Sequence, residues 1–347
     1  MRQWNFLISI LTLGCSFASV SMAQEQLGTL SVSDLTLRPQ GFYREQQEGE
    51  FVLGESSVGI LWTLDDRLSS KFRIGAHSLR GKPKLYADTK SESDIDLVEA
   101  YGEYESLFGR FRIGLIPLEI GREGVLSESE LIFPRSEIYS QGLVGLRDIG
   151  LNYFITYNYF FTGFSVFNGE SGNSQDHKTW YAARWGYDFH KLRVEAFGQT
   201  GSTDPSSTTG SSLTVARFNA AQTSKWRMGG VYADWRPSSF RLSLDFAVGD
   251  KEQNQESFRF ATSNLEFGQM FSEGLGYFVR YNPFDPDLKT DNDGVHKVSL
   301  ALVKANKSST SKVILIGSKV MEEGVQTPND EIRLIWSVTP LYFPQSN

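Results

Sequence analysis

Residues 239–249 read Ser-Phe-Arg-Leu-Ser-Leu-Asp-Phe-Ala-Val-Gly. Phe240, Leu242, Leu244, Phe246 and Val248 fall on one side of an extended chain, and Arg241, Ser243 and Asp245 on the other. A strand alternates its side chains with period two, so this is a strand between two unlike environments. The same reading holds elsewhere. In 108–116, Phe111, Ile113 and Leu115 oppose Arg110 and Arg112; in 178–188, Tyr181, Ala183, Trp185 and Tyr187 oppose Arg184 and Asp188; in 329–339, Ile332, Leu334, Trp336 and Val338 oppose Arg333.

Extending the pattern along the chain gives about sixteen segments: 35–45, 55–64, 70–80, 94–105, 108–116, 145–155, 158–168, 178–188, 191–200, 225–236, 239–249, 258–270, 274–282, 295–305, 311–321 and 329–339. Segment 94–105 switches face near Leu97-Val98, which predicts a bulge. The connectors alternate in length. Asp65-Asp66-Arg67, Ser106-Leu107, Phe189-His190 and Arg236-Pro237-Ser238 are short, whereas 46–54, 81–93, 117–144, 169–177, 201–224, 250–257, 283–294 and 322–328 are longer. An even strand number, ten-residue strands and one rim of tight turns describe a transmembrane β-barrel.

Energetics orient the two faces. An arginine facing lipid costs roughly 2–4 kcal/mol at mid-membrane. Turning Arg110, Arg112, Arg184, Arg193, Arg241 and Arg280 outward would cost roughly 10–20 kcal/mol, comparable to the stability of an ordinary domain. The apolar set therefore faces lipid, and Lys71, Arg73, Arg110, Arg112, Arg184, Arg193, Arg241 and Arg280 are the expected pore wall, with Lys297 and Arg333. Glu99, Glu103, Glu105, Asp188, Glu195, Asp234, Asp245 and Glu331 share that face. Trp62, Trp180, Trp226, Trp235, Tyr281 and Trp336 sit near strand ends and suit interfacial girdles.

Residues 1–23 have a secretory signal's form: Arg2, an apolar Phe6–Leu13 core, and Ser21-Met22-Ala23 before the cleavage point. The mature chain is then a single barrel domain, 24–347, lacking Cys15, the sole cysteine. Its formal charge falls from −7 to near −8 with the loss of Arg2, which argues against nucleic-acid binding.

The longest connector, 117–144, mixes both charge signs with apolar residues, unlike a solvated loop tip. Folded inward it would narrow a lumen too wide to filter small solutes. Glu119, Arg122, Glu123, Arg135 and Glu137, with Arg147 just beyond, are the expected constriction residues, set against Arg73, Arg110, Arg112 and Arg184.

Here a family resemblance enters. Phe108-Gly109-Arg110-Phe111-Arg112-Ile113-Gly114-Leu115-Ile116-Pro117-Leu118-Glu119 resembles the strand-five and loop-three region of the phosphate-selective porin O and P family. Gly145-Leu146-Arg147-Asp148-Ile149-Gly150, Val166-Phe167-Asn168-Gly169-Glu170 and Tyr277 to Pro286 resemble its other short motifs. The resemblance implies a homotrimeric sixteen-stranded outer-membrane porin with loop three in the pore. This chain departs from that family in balancing basic with acidic residues on the inner face and in leaving four residues after Phe343, where an assembly signal would stand.

The expectation is thus an all-β, sixteen-stranded antiparallel transmembrane β-barrel in the outer membrane of a Gram-negative bacterium. It would form a channel for passive diffusion of small polar or charged solutes, anions among them. Its partners would be outer-membrane lipid and lipopolysaccharide, with no cofactor and no metal. The alternatives are an adhesive or structural barrel and a barrel enzyme. His77, His177, His190 and His296 form no recognisable arrangement with Ser and Asp, so no catalytic residues are expected.

Overall fold

A computed structural model describes residues 28–45, 49–76, 95–140, 143–169, 177–203, 223–253, 255–271, 273–306, 308–324 and 329–339. The leader, His77, connector 81–93, most of connectors 169–177 and 201–224, and Phe343 lie outside these. The described residues form eighteen strand segments in one sheet. They are β1 (Thr29–Thr36), β2 (Gln40–Arg44), β3 (Glu50–Val52), β4 (Ser57–Thr63), β5 (Leu68–Ala76), β6 (Ile95–Ser106), β7 (Gly109–Pro117), β8 (Arg147–Tyr157), β9 (Phe160–Phe167), β10 (Trp180–Phe189), β11 (Leu192–Thr203), β12 (Ser224–Trp235), β13 (Phe240–Gln253), β14 (Glu256–Met270), β15 (Leu275–Asp285), β16 (Val295–Ala305), β17 (Ser311–Glu322) and β18 (Glu331–Val338).

From β4 to β18 each strand pairs antiparallel with the next. β18 pairs back onto β2, β2 onto β3, and β1 onto β4. The first expected strand, 35–45, is broken between β1 and β2, the second, 55–64, is present as β4, and the connector expected at 46–54 holds the short strand β3. Between β1 and β2, Pro39 has no N–H to give a ladder, and only Leu37 bridges Val338 and Arg38 bridges Gly54. Between β3 and β4, Gly54 turns at φ 58°, where a Cβ would stand 2.4 Å from the Arg38 carbonyl. The expected bulge is present: Arg73 pairs with Glu99 and Ile74 with Leu97, leaving Val98 over. The connector expected at 250–257 is shorter than read, because β13 runs to Gln253 and β14 begins at Glu256. There Asp250 and Arg259 pair across the ladder, so charge stood in for a loop signal.

The two faces separate as the alternation requires. Phe111, Ile113, Trp185, Val231, Leu244, Leu300, Leu315 and Leu334 are exposed on the outward face. On the other face Arg112, Arg184, Glu195, Asp234, Glu266 and Arg280 are buried. Trp62, Trp235, Tyr281 and Trp336 are outward, as expected of a girdle, but Trp180 and Trp226 are not. They share the inner parity with Arg184 and Tyr232, and they bury at 6% and 1% exposure in an apolar cluster with Phe167, Phe197, Phe260 and Phe284.

Candidate functional site

The segment joining β7 to β8 brings the charged residues together. Its two ends are tied where Leu118 N–H donates to the Leu146 carbonyl at 3.0 Å. Glu119 turns back at φ 50° and Gly121 at φ 68°, opening the one-turn helix α1 (Gly121–Val125). A second short helix, α2 (Glu137–Ser140), is capped from within: the Glu123 carboxylate accepts from Ser136 N–H at 2.7 Å and from Ser136 Oγ at 3.0 Å. Gly124 N–H donates to Tyr139 Oη at 2.8 Å, and that hydroxyl donates to the Ile120 carbonyl. The segment is therefore held by hydrogen bonds of its own as well as by those it makes to the sheet.

It meets the sheet on the charged face. Glu119 accepts from Arg112 of β7 at 2.7 Å and from Arg184 of β10. Arg122 pairs with Glu266 of β14 at 3.0 Å. Glu123 receives Arg280 of β15 at 2.6 Å, and Arg280 also reaches Glu266 at 3.1 Å. Glu137 N–H donates to Asn282 Oδ1 at 2.8 Å. Arg135 stands 3.7 Å from Glu55, and Arg38 donates to the Leu131 carbonyl at 3.0 Å. Lys312 of β17 donates to the Ser129 carbonyl. One segment thus touches strands from β7 round to β17. Apolar packing continues these contacts: Leu118, Ile120, Ile138, Tyr139, Leu143 and Val144 join the Trp180–Trp226 cluster, and Ile132 and Phe133 pack on Phe278, Ala301, Val303, Ile314, Ile316 and Ile335.

Electrostatics hold this arrangement. Burial pushes the Glu119 carboxyl up, but the Arg184 and Arg112 guanidiniums outweigh it and hold the carboxyl at about 2. Burial and the neighbouring Glu123 carboxylate push the Tyr139 hydroxyl well above its ordinary value, which keeps it a donor to Ile120.

The expected site residues fall into three groups, with Glu137 apart. Glu119, Arg122, Glu123, Arg135, Arg112, Arg184 and Arg280 meet across the segment and the sheet, as described. Arg241 lies at that network's edge, 3.4 Å from Asp234 and 3.7 Å from Glu266. Lys71, Arg73 and Arg147 form a separate network with Asp34 and Glu99: Lys71–Asp34 is 3.0 Å, Arg73–Glu99 3.1 Å and Arg147–Glu99 3.1 Å. Arg110 and Arg193 stand beside Glu103 at 3.6 Å and Glu195 at 3.2 Å. The Glu137 carboxylate accepts from Ser140 Oγ within its own helix. Charges expected to face one another across a gap are, for Glu119 and Glu123, in direct contact with the wall.

Sequence reading missed Glu266, Asp34, Arg38, Glu55 and Lys312. Asp34 lies in the last stretch of pairing of β1, where its register shifts, and Arg38 lies in the break before β2. Glu266 shares its strand with Asn264 and Thr262 and gave a period-two signal that could have found it. In the Arg147-Asp148 pair, Arg147 donates to Glu99, while Asp148 accepts from Ile149 N–H at 2.7 Å and Gly169 N–H at 2.6 Å, fastening β8 to the end of β9.

No family model matches this sequence, and no curated protein does. Solved structures do match in shape. OmpT, an outer membrane protein of Vibrio cholerae in its trimer form, superposes with a TM-score of 0.68 at 12% identity over 90% of this chain and 99% of that one. The outer membrane channel DcaP of Acinetobacter baumannii gives 0.63 at 10% identity, covering 91% and 98%. An anion-selective porin from Comamonas acidovorans gives 0.61 at 12% identity, covering 90% and 99%. At such identities the likeness is one of fold, and the chain has the fold of the Gram-negative outer-membrane β-barrels.

Proposed function

We propose that this chain is an outer-membrane porin, a water-filled channel through which small polar or charged solutes diffuse, and not an enzyme. Residues 1–23 are its removable leader and 24–347 its single barrel domain. The observation that carries the reading is the sheet's two-sidedness combined with the segment 118–146. Greasy side chains cover the outer face, and a folded, ion-paired segment lies against the charged inner one. Taking 29–44 and 50–63 as two interrupted staves makes sixteen strands and joins the last to the first, and the segment after β7 is then the loop that narrows the lumen. The similarity to an outer membrane channel and an anion-selective porin supports this.

Finer points rest on narrower support. The match to a trimer form favours a homotrimer. Membership of the phosphate-selective porin family is supported by the motifs around Phe108–Glu119 and Arg147–Gly150. Anion preference would come from Arg110, Arg112, Arg184 and Arg193. Each of these stands beside a carboxylate, so the preference is weak. Lipid and lipopolysaccharide would surround the outer face.

Planar-bilayer recording tests the channel. Purified protein should add discrete open steps, and Arg110→Glu should move the reversal potential toward cations. A bilayer that stays silent with correctly folded protein would reject the channel and leave an adhesive or structural barrel. An unmoved reversal potential would remove Arg110 from the solute path.

A further inference from the structure

The segment 118–146 is joined to the sheet by the chain itself only at its two ends, beside β7 and β8. Its base is secured there by the bond from Leu118 to Leu146 and by Glu119 on Arg112 and Arg184. Its far end, 129–135, has no such covalent neighbour. What holds that end gathers at the β1–β2 break. The break is well ordered. Leu37 exchanges hydrogen bonds with Val338 at 2.8 and 2.7 Å, and Trp336 N–H donates to the Pro39 carbonyl at 3.1 Å. Arg38 N–H donates to Ser56 Oγ at 2.8 Å, and that hydroxyl donates to the Leu53 carbonyl at 2.6 Å. These bonds satisfy the backbone where the ladder is lost and fix the stem of Arg38.

The Arg38 side chain is fully buried. Its guanidinium donates to the Leu131 carbonyl at 3.0 Å and stands 3.5 Å from Glu55. Glu55 stands 3.7 Å from Arg135 as well. Arg135 donates to the Glu123 carbonyl and lies over the Tyr139 ring at 5.7 Å, which carries the tie back into α1 and α2. Leu131 and Arg135 belong to the segment, so Arg38 and Glu55 reach out of the wall to grip it. A guanidinium taken wholly out of water is costly unless partners are fixed around it, and an apolar side chain would fill the same place without that cost. The apolar dock beside it, Ile132 and Phe133 on the inner face of β15–β18, resists separation but is non-directional. A planar guanidinium with a fixed fork of donors sets one register.

We propose that Arg38 is a positioning residue for solute passage: from the break in the wall it holds the far end of segment 118–146 across the lumen, with Glu55 bridging it to Arg135, and so fixes the width of the water path. The inference rests on the porin reading. Arg38 touches no solute; it acts through the segment it holds. The strand break at Pro39 and the turn at Gly54 are then the seat of the constriction rather than defects in the barrel.

The test records the full chain in planar bilayers and, in parallel, follows a nitroxide label on exposed Ser127→Cys, made together with Cys15→Ser. Arg38→Met should raise single-channel conductance about 1.5-fold and widen its spread, and Glu55→Gln should raise it less. The double variant should match Arg38→Met, because the two residues act as one grip. The label should tumble at least about twofold faster in Arg38→Met than in the wild type. Should Arg38→Met fail to fold, Glu55→Gln carries both measurements in the same direction. Open steps of unchanged size in the variants, or a label as slow in them as in the wild type, would overturn the proposal; lost stability with neither readout moved would make Arg38 a residue of the fold alone. A wild type silent in the bilayer would end the porin reading and this role with it, whereas open wild-type steps with unmoved variants end this role only.

Discussion

Two stretches of the inner face differ sharply. On β5–β11 it is a mesh of ion pairs with partial exposure: Lys71, Arg73, Arg110 and Arg193 alternate with Glu99, Glu103 and Asp188. On β15–β18 the middle of the same face is dry, with Phe278, Ala301, Val303, Ile314, Ile316 and Ile335 under Ile132 and Phe133. Both belong to one sheet with one outward surface, so the difference cannot come from the membrane. It follows the segment after β7, which lays Ile132 and Phe133 over the second stretch and meets the first through the Glu119 carboxylate and the Trp180–Trp226 cluster, leaving Lys71, Arg73, Arg110 and Arg193 outside those contacts. An inner wall needs charge only where water reaches it. Where a loop excludes water, apolar packing is the stable choice.

The comparison can be broken most severely by removing the cover. Deleting 122–137 should raise single-channel conductance at least about twofold, because the bulk that narrows the lumen goes with it; unchanged conductance would place the segment away from the solute path. Next in size is the tie between cover and wall. Arg280→Ala leaves Glu123 and Glu266 buried without it, and losing one partner of a buried pair costs about 3–5 kcal/mol, measurable by denaturant unfolding in micelles.

A paired substitution sharpens the contrast. Ile314 is fully buried on the dry wall, so Ile314→Ala should cost about 2–5 kcal/mol. Arg110 is 31% exposed and 3.6 Å from Glu103, so Arg110→Ala should cost no more than about 1 kcal/mol. Similar losses at the two sites would erase the distinction between the walls.

The smallest effect is one of pH. The Glu119 carboxyl is held at about 2 against an ordinary 4.5. Its depressed value means that its stabilising contribution is complete above about pH 4.5 and is lost as pH falls through about 2. Conductance should hold steady from pH 7 to 5 and change within the lower window. Glu119→Gln should abolish that change, and a wild-type trace flat to pH 2 would free Glu119 from Arg112 and Arg184.

Much of this was legible in the residues. Phe240 to Val248 announced a strand with unlike faces, and Leu97-Val98 announced its bulge, because alternation is a local property. The arginines of the inner face followed from the cost of the opposite register. The dry wall was not legible. Val313-Ile314-Leu315-Ile316 is apolar throughout, and no local rule says which two of those four meet lipid and which two meet Phe133. Trp180 and Trp226 misled for the same reason: an aromatic near a strand end suits a headgroup belt and an inner cluster equally, and only the folded segment decides. The partners of Arg122 and Glu123 lie more than a hundred positions away, at Glu266 and Arg280. Charge sign told of pairing but not of address.

The central claim is that Arg110 faces water while Ile113, three residues on, faces lipid. Single-cysteine variants at the two positions, made together with Cys15→Ser, can be treated in proteoliposomes with a membrane-impermeant methanethiosulfonate. The account predicts fast labelling at Arg110→Cys and protection at Ile113→Cys. Protection of the first with labelling of the second, or equal labelling of both, would contradict it.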